Sequence, residues 1–225
     1  MTDSTLHAPV PITPAKAVAK PPLGAFWPRL ITGLAIAGAW EFIVRAFAPA
    51  YVAKPTTVIV AIPRVIADPA FLTATGQTLG AVAEGLVIAL AFGTVIGLMM
   101  GRSPAVERVM RHYVNGFYAM PMIVVLPLFS LWFGYSGAAR IATVIFAAIF
   151  SIIVNAADGA RAVPREFIEV GRSFRSTRAR MLVEIVLPAA TPYLLAGFRL
   201  AAGRALIGAV VAEFFLSVGG LGYYI

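Results

Sequence analysis

The sequence has no cysteine, and only two of its 225 residues are histidines, His7 and His112. The lack of cysteine excludes a disulfide framework, a thiolate metal cluster and a cysteine nucleophile. Charged residues are also scarce, at 12% against roughly a quarter in soluble domains, while 60% of the residues are hydrophobic. A chain of this size cannot hide so much apolar surface in a core of its own. These absences exclude a soluble single domain and indicate a chain that spans a lipid bilayer.

The long apolar runs predict an all-α, polytopic membrane helix bundle. Residues 1–26 contain five prolines and no apolar run, so we predict a disordered tail there and not a secretory signal. Residues 27–225 form the predicted membrane domain, because they contain five segments near the roughly 20 residues that cross the hydrocarbon. The predicted spans are residues 27–48, 74–101, 113–135, 140–162 and 189–217.

The net charge of +8 predicts an orientation in the membrane and not a nucleic-acid partner, because the basic residues lie between apolar runs. Twelve of the 18 lysines and arginines fall on one side of the five-span arrangement and four on the other. Because loops rich in Lys and Arg stay on the cytoplasmic face, we expect the N-terminal tail to be cytoplasmic.

Small residues recur at every fourth position of the second span, at Ala81, Gly85, Ala89, Gly93, Gly97 and Gly101. Such a ridge lets two helix backbones approach closely in a membrane. The ridge is consistent with packing inside one subunit and with a seam between two subunits.

No catalytic residue, metal site or bound cofactor is predicted for this chain. Gly134-Tyr135-Ser136-Gly137 matches a short pattern of intramembrane serine proteases, but His112 lies at the opposite end of the same span and cannot act as its base. The sequence also contains neither a zinc-binding H-E-x-x-H pattern nor a phosphate-binding loop. If ATP is used, another chain must bind it.

Ionisable residues inside spans are costly and are therefore functional candidates; here they are Glu41, Glu84, Arg199, Arg204 and Glu213. Arg204 either faces an aqueous path and attracts an anion or pairs with a carboxylate. Met120 and Pro121 interrupt the third span and predict a bend near a path. The candidate path residues are Met120, Pro121, Trp132, Arg204 and Glu213.

The stretch 161–188 predicts two short helices outside the bilayer. Pro164 suits the first position of one helix, and Thr177 can cap a second helix that Pro188 stops. We expect one apolar face on each helix, made by Phe167, Ile168, Gly171 and Phe174 in the first and by Met181, Leu182 and Ile185 in the second. Such a pair either docks a soluble partner or lies on lipid headgroups.

This stretch resembles the E-A-A loop of binding-protein-dependent ABC transporter permeases. The matching residues are Glu169, Val170, Gly171, Arg175, Ile185, Leu187 and Pro188. Further ordered matches, such as Lys54-Pro55-Thr56 and Gly220-Leu221-Gly222, are similar to the nitrate/sulfonate/taurine branch over about residues 50–225. The resemblance implies a type I ABC importer permease fold in the bacterial inner membrane.

The resemblance also implies a function. The chain would form the path for a small solute such as a sulfonate, nitrate or taurine, delivered by an extracytoplasmic binding protein. It would pair with a second copy and use ATP bound by two cytoplasmic ATP-binding subunits, which receive the matching loop residues as coupling residues. It would not itself be an enzyme.

Two departures from the family pattern carry expectations of their own. Arg175 stands where the family has a glycine, and a positive φ at a residue with a β-carbon costs about 1 kcal/mol. The family continues after the Gly-Leu-Gly-Tyr segment into a sixth span, so we expect that the last span is missing here. The alternatives are therefore a truncated membrane scaffold that transports nothing and a secondary transporter that uses no ATPase.

Overall fold

In the computed structural model, the residues described are 26–49 and 51–225, and the predicted tail lies outside them except for Phe26. No β-strand occurs in these ranges, which confirms the all-α prediction. The helices are α1 (Phe26–Phe47), α2 (Pro55–Ile66), α3 (Pro69–Arg102), α4 (Pro104–Ala119), α5 (Met122–Phe133), α6 (Gly137–Arg161), α7 (Arg165–Ser173), α8 (Arg178–Met181), α9 (Leu187–Leu216) and α10 (Leu221–Tyr224). A π-helical turn at Leu182–Val186 joins α8 to α9.

Within the described ranges, four helical stretches are long and apolar enough to cross a membrane: α1, α3, α6 and the continuous run Arg178–Leu216. They match four of the five predicted spans. The third span predicted at residues 113–135 is not one straight helix: α4 and α5 meet there at a bend of 100°, which confirms the bend predicted at Met120 and Pro121. Pro121 lacks an N–H and its ring holds Met120 in an extended conformation, at φ −70° and ψ 129°. The two helices would count as a fifth span only as one bent pair.

The chain divides into two units after Pro63, and the helix α2 at their boundary was not predicted. In the first unit, Glu41 joins the end of α1 to the start of α2. Its carboxylate accepts hydrogen bonds from the Thr56 backbone N–H at 3.1 Å and from the Thr56 hydroxyl at 2.8 Å. Arg45 also pairs with this carboxylate at 2.5 Å. The intramembrane carboxylate Glu41 therefore caps a helix and balances a cation.

In the second unit, α6 packs between α3 and α9 at very short distances. A methyl group added to Gly97 of α3 would lie 2.5 Å from the Ile153 carbonyl oxygen of α6. On the other side of α6, a methyl on Gly197 of α9 would lie 2.8 Å from the Asn155 side chain. The small residues of the predicted ridge therefore pack inside one chain, and the ridge does not supply a seam between subunits.

The contacts define two ends of this bundle, which we call the α7 end and the α10 end. Helices α3 and α6 run in parallel toward the α7 end, where Leu98 and Ala160 pack with Ile168 of α7. The helix α9 runs the opposite way and ends beside α10, which also contacts the start of α3. This arrangement places the predicted coupling residues at one end and Glu213 near the other.

Candidate functional site

One face of α7 is fixed to the helical run that leads into α9. Ile168 is buried among Leu98, Val186 and Ala190. Gly171 is buried too, and a methyl group added there would lie 2.9 Å from the Ile185 Cδ1 atom. A larger residue at Gly171 would push α7 away, so this predicted coupling residue sets how closely α7 docks.

A different side of α7, with Phe174 directly after the helix, presents apolar side chains to the outside. Phe167, Val170 and Phe174 are 56%, 54% and 81% exposed, and their spacing places them along one side of the helix. We call these three residues the exposed stripe. The prediction that Phe167, Ile168, Gly171 and Phe174 form one apolar face is wrong, because Ile168 and Gly171 are buried while Phe167 and Phe174 are exposed. Glu169 is also exposed.

The second helix begins as predicted and does not end as predicted. The Thr177 hydroxyl accepts a hydrogen bond from the Arg180 backbone N–H at 3.3 Å, which confirms the cap. The prediction that Pro188 stops the helix is wrong, because the helical run continues from Arg178 to Leu216. The Leu187 N–H donates to the Leu182 carbonyl, five residues earlier, and this wider turn admits the proline without ending the run.

Arg175 occupies the left-handed position that ends α7. Its φ is +53°, and the Ser176 N–H donates to the Gly171 carbonyl at 3.0 Å while the Arg175 N–H donates to the Arg172 carbonyl at 2.8 Å. This pattern is a Schellman motif, in which glycine is the usual residue. The turn keeps the geometry of a glycine position although a residue with a β-carbon stands there.

The break between α4 and α5 opens a cavity of about 160 Å³ against α6 and α9. Its lining is apolar and aromatic except for one guanidinium group. The lining residues are Phe117, Met120, Met122, Phe146, Ala147, Phe150, Arg204 and Ile207. Phe117 stacks on Phe150 with ring centroids 5.8 Å apart.

Arg204, which is half-buried, is held by contacts at the end of α4. Its Cζ atom lies 4.3 Å from the centre of the Tyr118 ring, and Nη2 donates to the Tyr118 carbonyl at 3.4 Å. That carbonyl is available because α4 ends at Ala119. Within residues 26–49 and 51–225, Arg204 forms no ion pair with a carboxylate, so the paired alternative is wrong. The same ranges contain no group of three His, Cys, Asp or Glu side chains arranged as metal ligands.

The structure brings together two of the five predicted path residues. Met120 and Arg204 line the cavity, whereas Pro121 forms the break beside it. Trp132 is 63% exposed on α5 and does not line the cavity. Sequence reasoning did not predict that α6 lines this cavity, although the spacing of Phe146 and Phe150 places them on one face of that helix.

Glu213 is fully buried at the α10 end, about 14 Å along α9 from Arg204, and it does not line open space. The Thr78 hydroxyl lies 2.9 and 2.8 Å from its two carboxylate oxygens. Arg140 Nη1 lies 3.2 Å from Oε1, and the Gly222 N–H donates to Oε2 at 3.0 Å. Glu213 therefore links α3, α6 and α9 to the segment that follows α9.

The segment Gly219–Gly222 closes over Glu213 because Gly220 and Gly222 have no side chains; a β-carbon at Gly222 would collide with the Val210 carbonyl oxygen. Gly220 has a φ of +148°, and a β-carbon there would collide with the Glu213 carboxylate. Arg140 Nη1 donates to the Gly219 carbonyl at 2.5 Å, and the Leu221 N–H donates to the Thr78 hydroxyl at 2.8 Å. The family resemblance identified these glycines only by their sequence pattern. The structure shows why glycine is needed there, because a β-carbon would collide with neighbouring atoms.

A hydrogen bond outside the spans attaches α10 to the start of α3. The Tyr224 hydroxyl donates to the Asp68 carboxylate at 2.7 Å, and Asp68 also caps α3 through the Ala70 N–H at 2.9 Å. These hydrogen bonds, with that from Tyr224 the larger cause, hold the pKa of Asp68 below its usual value, and the same contact raises the pKa of Tyr224. The ionised Asp68 side chain therefore stabilises the folded state at pH values above the ordinary pKa of an aspartate. This stabilisation is lost as the pH falls through the lowered pKa of Asp68 in the folded chain.

Comparison with known proteins identifies relatives of one kind. Residues 93–225 match the family described as "Binding-protein-dependent transport system inner membrane component". The formylaminopyrimidine transport permease protein of Halalkalibacterium halodurans is 29% identical over 82% of this chain and 74% of its own length. The putative aliphatic sulfonates transport permease protein of Bacillus subtilis is 28% identical over 96% of this chain and 80% of its own. The taurine transport system permease protein of Escherichia coli is 26% identical over 81% and 68%.

Replacing Glu213 with glutamine should destabilise the bundle by roughly 3–5 kcal/mol, because it leaves the Arg140 guanidinium without its buried counter-charge. Thermal unfolding of the purified chain in detergent, followed by circular dichroism, measures this change. Glu84→Gln is the matched control, since Glu84 is exposed on α3. The double variant with Arg140→Gln should lose less stability than the two single losses added together. Equal stability of the Glu213 and Glu84 variants would contradict the role of the network.

Replacing Arg175 with glycine should raise the stability by about 1 kcal/mol or less. Relief of the positive φ gains about 1–2 kcal/mol, and the greater freedom of glycine in the unfolded chain offsets part of that gain. Ser217→Gly should behave in the same way, because Ser217 has a φ of +51°.

Arg172→Gly serves as the control in the same thermal unfolding assay, because Arg172 lies within α7. This variant should lose about 1 kcal/mol. If Arg175→Gly destabilised the chain as much as Arg172→Gly, the turn would not need a left-handed residue.

Proposed function

We infer the function from one premise: the chain belongs to the family of binding-protein-dependent transport system inner membrane components. It is an ABC permease of the nitrate/sulfonate/taurine branch and a multi-pass inner membrane protein, and it is not an enzyme. We propose that it is the transmembrane subunit of an ATP-driven importer, paired with a second copy. Two cytoplasmic ATP-binding subunits supply the work, and an extracytoplasmic binding protein delivers the solute.

The orientation that we propose puts the α7 end and the N-terminus in the cytoplasm. The six arginines from the last residue of α6 to the helical turn before α9 support it, because basic loops stay on the cytoplasmic face; they are Arg161, Arg165, Arg172, Arg175, Arg178 and Arg180. The α10 end then faces the binding protein.

The observation that carries this proposal is the two-sided environment of α7. Its exposed stripe is free to enter a groove of an ATP-binding subunit, while its Ile168 and Gly171 side is fixed to the helical run Arg178–Leu216. Movement of α7 on ATP binding would therefore displace a helix that crosses the membrane and carries Arg204. Glu169 and Val170 would contact the ATP-binding subunit, and Gly171, Arg175, Ile185, Leu187 and Pro188 would hold α7 to the moving helix. ATP drives the change only because the subunits bind α7 differently in the two states.

The path that we propose includes the cavity at the α4–α5 break. Arg204 supplies a cation in apolar surroundings, where its attraction for an anion is strong. The cavity volume of about 160 Å³ is close to that of an engineered cavity that holds one benzene molecule, about 150 Å³. Such a site suits a small anion or zwitterion, such as a sulfonate, nitrate or taurine. The names of the relatives mention aliphatic sulfonates, taurine and formylaminopyrimidine, which are also small molecules.

Introducing Asp at Val170 should weaken association with the cognate ATP-binding subunit by about tenfold or more, because a carboxylate would have to be buried in an apolar groove. Co-purification and solute-stimulated ATP hydrolysis in proteoliposomes measure this effect. Glu166→Gln, also exposed on α7, is the control and should retain both activities. Unchanged co-purification and hydrolysis in Val170→Asp would remove the exposed stripe from the mechanism.

Replacing Arg204 with glutamine should reduce uptake of an anionic solute by about tenfold or more, because a charge-assisted hydrogen bond contributes about 1.5–3 kcal/mol. Association with the ATP-binding subunit should be unchanged. Arg199→Gln is the matched control, since Arg199 is exposed on the same helix. Transport by the Arg204 variant at the rate of the Arg199 variant would exclude the cavity from the path.

A further inference from the structure

A second and larger cavity lies at the α7 end, between the α3–α4 corner and the turn after α7. Its volume is about 920 Å³. The residues that line it are Met99, Arg102, Ser103, Pro104, Val106, Arg172, Ser176, Arg178, Ala179, Met181, Leu182 and Val186. We call it the basic cavity. It shares no lining residue with the cavity that contains Arg204, and the exposed stripe of α7 lies outside it.

The polar groups of the basic cavity favour an anion. Arg102, Arg172 and Arg178 line it together, and no Asp or Glu is among its described lining residues. In the part of the chain that the structure describes, none of these three arginines forms an ion pair. The 16-residue helix α4 also begins at the cavity, where Ser103 caps it and the positive end of the helix dipole adds to the field.

Most of the other residues that line the basic cavity are apolar. Met99, Val106, Met181, Leu182 and Val186 expose hydrocarbon to it. Arg102 is the last residue of the membrane-crossing helix α3, so the cavity lies where the hydrocarbon gives way to the polar headgroups. A cavity lined by three cations and by apolar side chains offers partners for both the charged head and the hydrocarbon of an anionic amphiphile.

We propose that the basic cavity binds an anionic phospholipid of the surrounding membrane. The phosphate is held by the guanidinium groups of Arg102, Arg172 and Arg178, and the acyl chains cover the apolar lining. Basic pockets between membrane helices near the cytoplasmic face bind lipid headgroups in this way. An acidic segment of a soluble partner would match the arginines and leave the apolar lining uncovered. The bound lipid would brace the turn after α7 against the end of α3.

Native mass spectrometry of the full chain in detergent tests this proposal with two lipids, phosphatidylglycerol and phosphatidylcholine. We expect phosphatidylglycerol to bind at least about tenfold more tightly. Replacing all three arginines with glutamine should weaken its binding by about a hundredfold, and Arg102→Gln alone by about fivefold. The single variant keeps the test decisive if the triple variant fails to fold.

The matched control replaces Arg29, Arg108 and Arg165 with glutamine, which removes the same charge from residues that do not line the basic cavity. This control should bind phosphatidylglycerol as the unmodified chain does. Equal affinity for the two lipids, or equal losses in the cavity and control variants, would overturn the proposal.

Two further measurements distinguish the proposed lipid from other possible occupants of the basic cavity. Complete displacement of phosphatidylglycerol by inorganic phosphate would indicate a site for free phosphate and would overturn the assignment to lipid, whereas retention of the lipid supports it. Loss of the ATP-binding subunit from the cavity variants, with lipid binding unchanged, would assign the cavity to that protein partner. Because lipid binding is measured on the chain alone, failure of the transport proposal would leave this result standing.

Discussion

The second unit depends on the close approach of three helix backbones. Gly85 and Gly97 of α3 leave no room for a side chain against α6, and Gly197 and Gly208 of α9 do the same on its other face. Dispersion contacts at this distance replace the hydrophobic effect, which lipid does not supply between membrane helices. A β-carbon at Gly97 would force α3 away from α6 and would disturb both ends of the bundle together.

This packing holds α6 in place, and the run Arg178–Leu216 packs against it. Because the π-helical turn carries that run through Pro188, α7, Arg204 and Glu213 are all connected through one continuous helix. The proposed coupling follows from this continuity, since a displacement of α7 cannot be absorbed at a break before α9. The α4–α5 break at Met120 and Pro121 has the opposite effect, because it opens space beside the helix.

The two ionisable residues of α9 illustrate how a membrane protein accommodates charge in two ways. Glu213 is enclosed, and donors from α3, from α6 and from the segment that follows α9 satisfy its carboxylate: a hydroxyl, a guanidinium and a backbone N–H. Arg204 instead faces a cavity and is held by an aromatic ring and a carbonyl. The first arrangement links the elements at the α10 end, and the second leaves a cation beside the cavity that we propose as part of the path. Both residues are expensive to bury, yet only the contacts distinguish a structural charge from a functional one.

The amino-acid sequence alone determined the helical class, four of the spans and the start of the helix after Thr177. Apolar runs of membrane length and a side-chain cap are local properties, and they do not depend on a partner. The resemblance located the stretch that we propose for coupling, but the apolar face of α7 was assigned wrongly because burial on a short helix depends on its neighbour, here Ile185 and Val186. Tertiary structure alone decided that the small-residue ridge packs inside the chain, that Glu213 is enclosed and that Arg204 lines a cavity together with Phe146 and Phe150. These contacts join residues tens of positions apart, and the rotation of each helix about its axis, which sets them, is fixed by packing and not by local sequence.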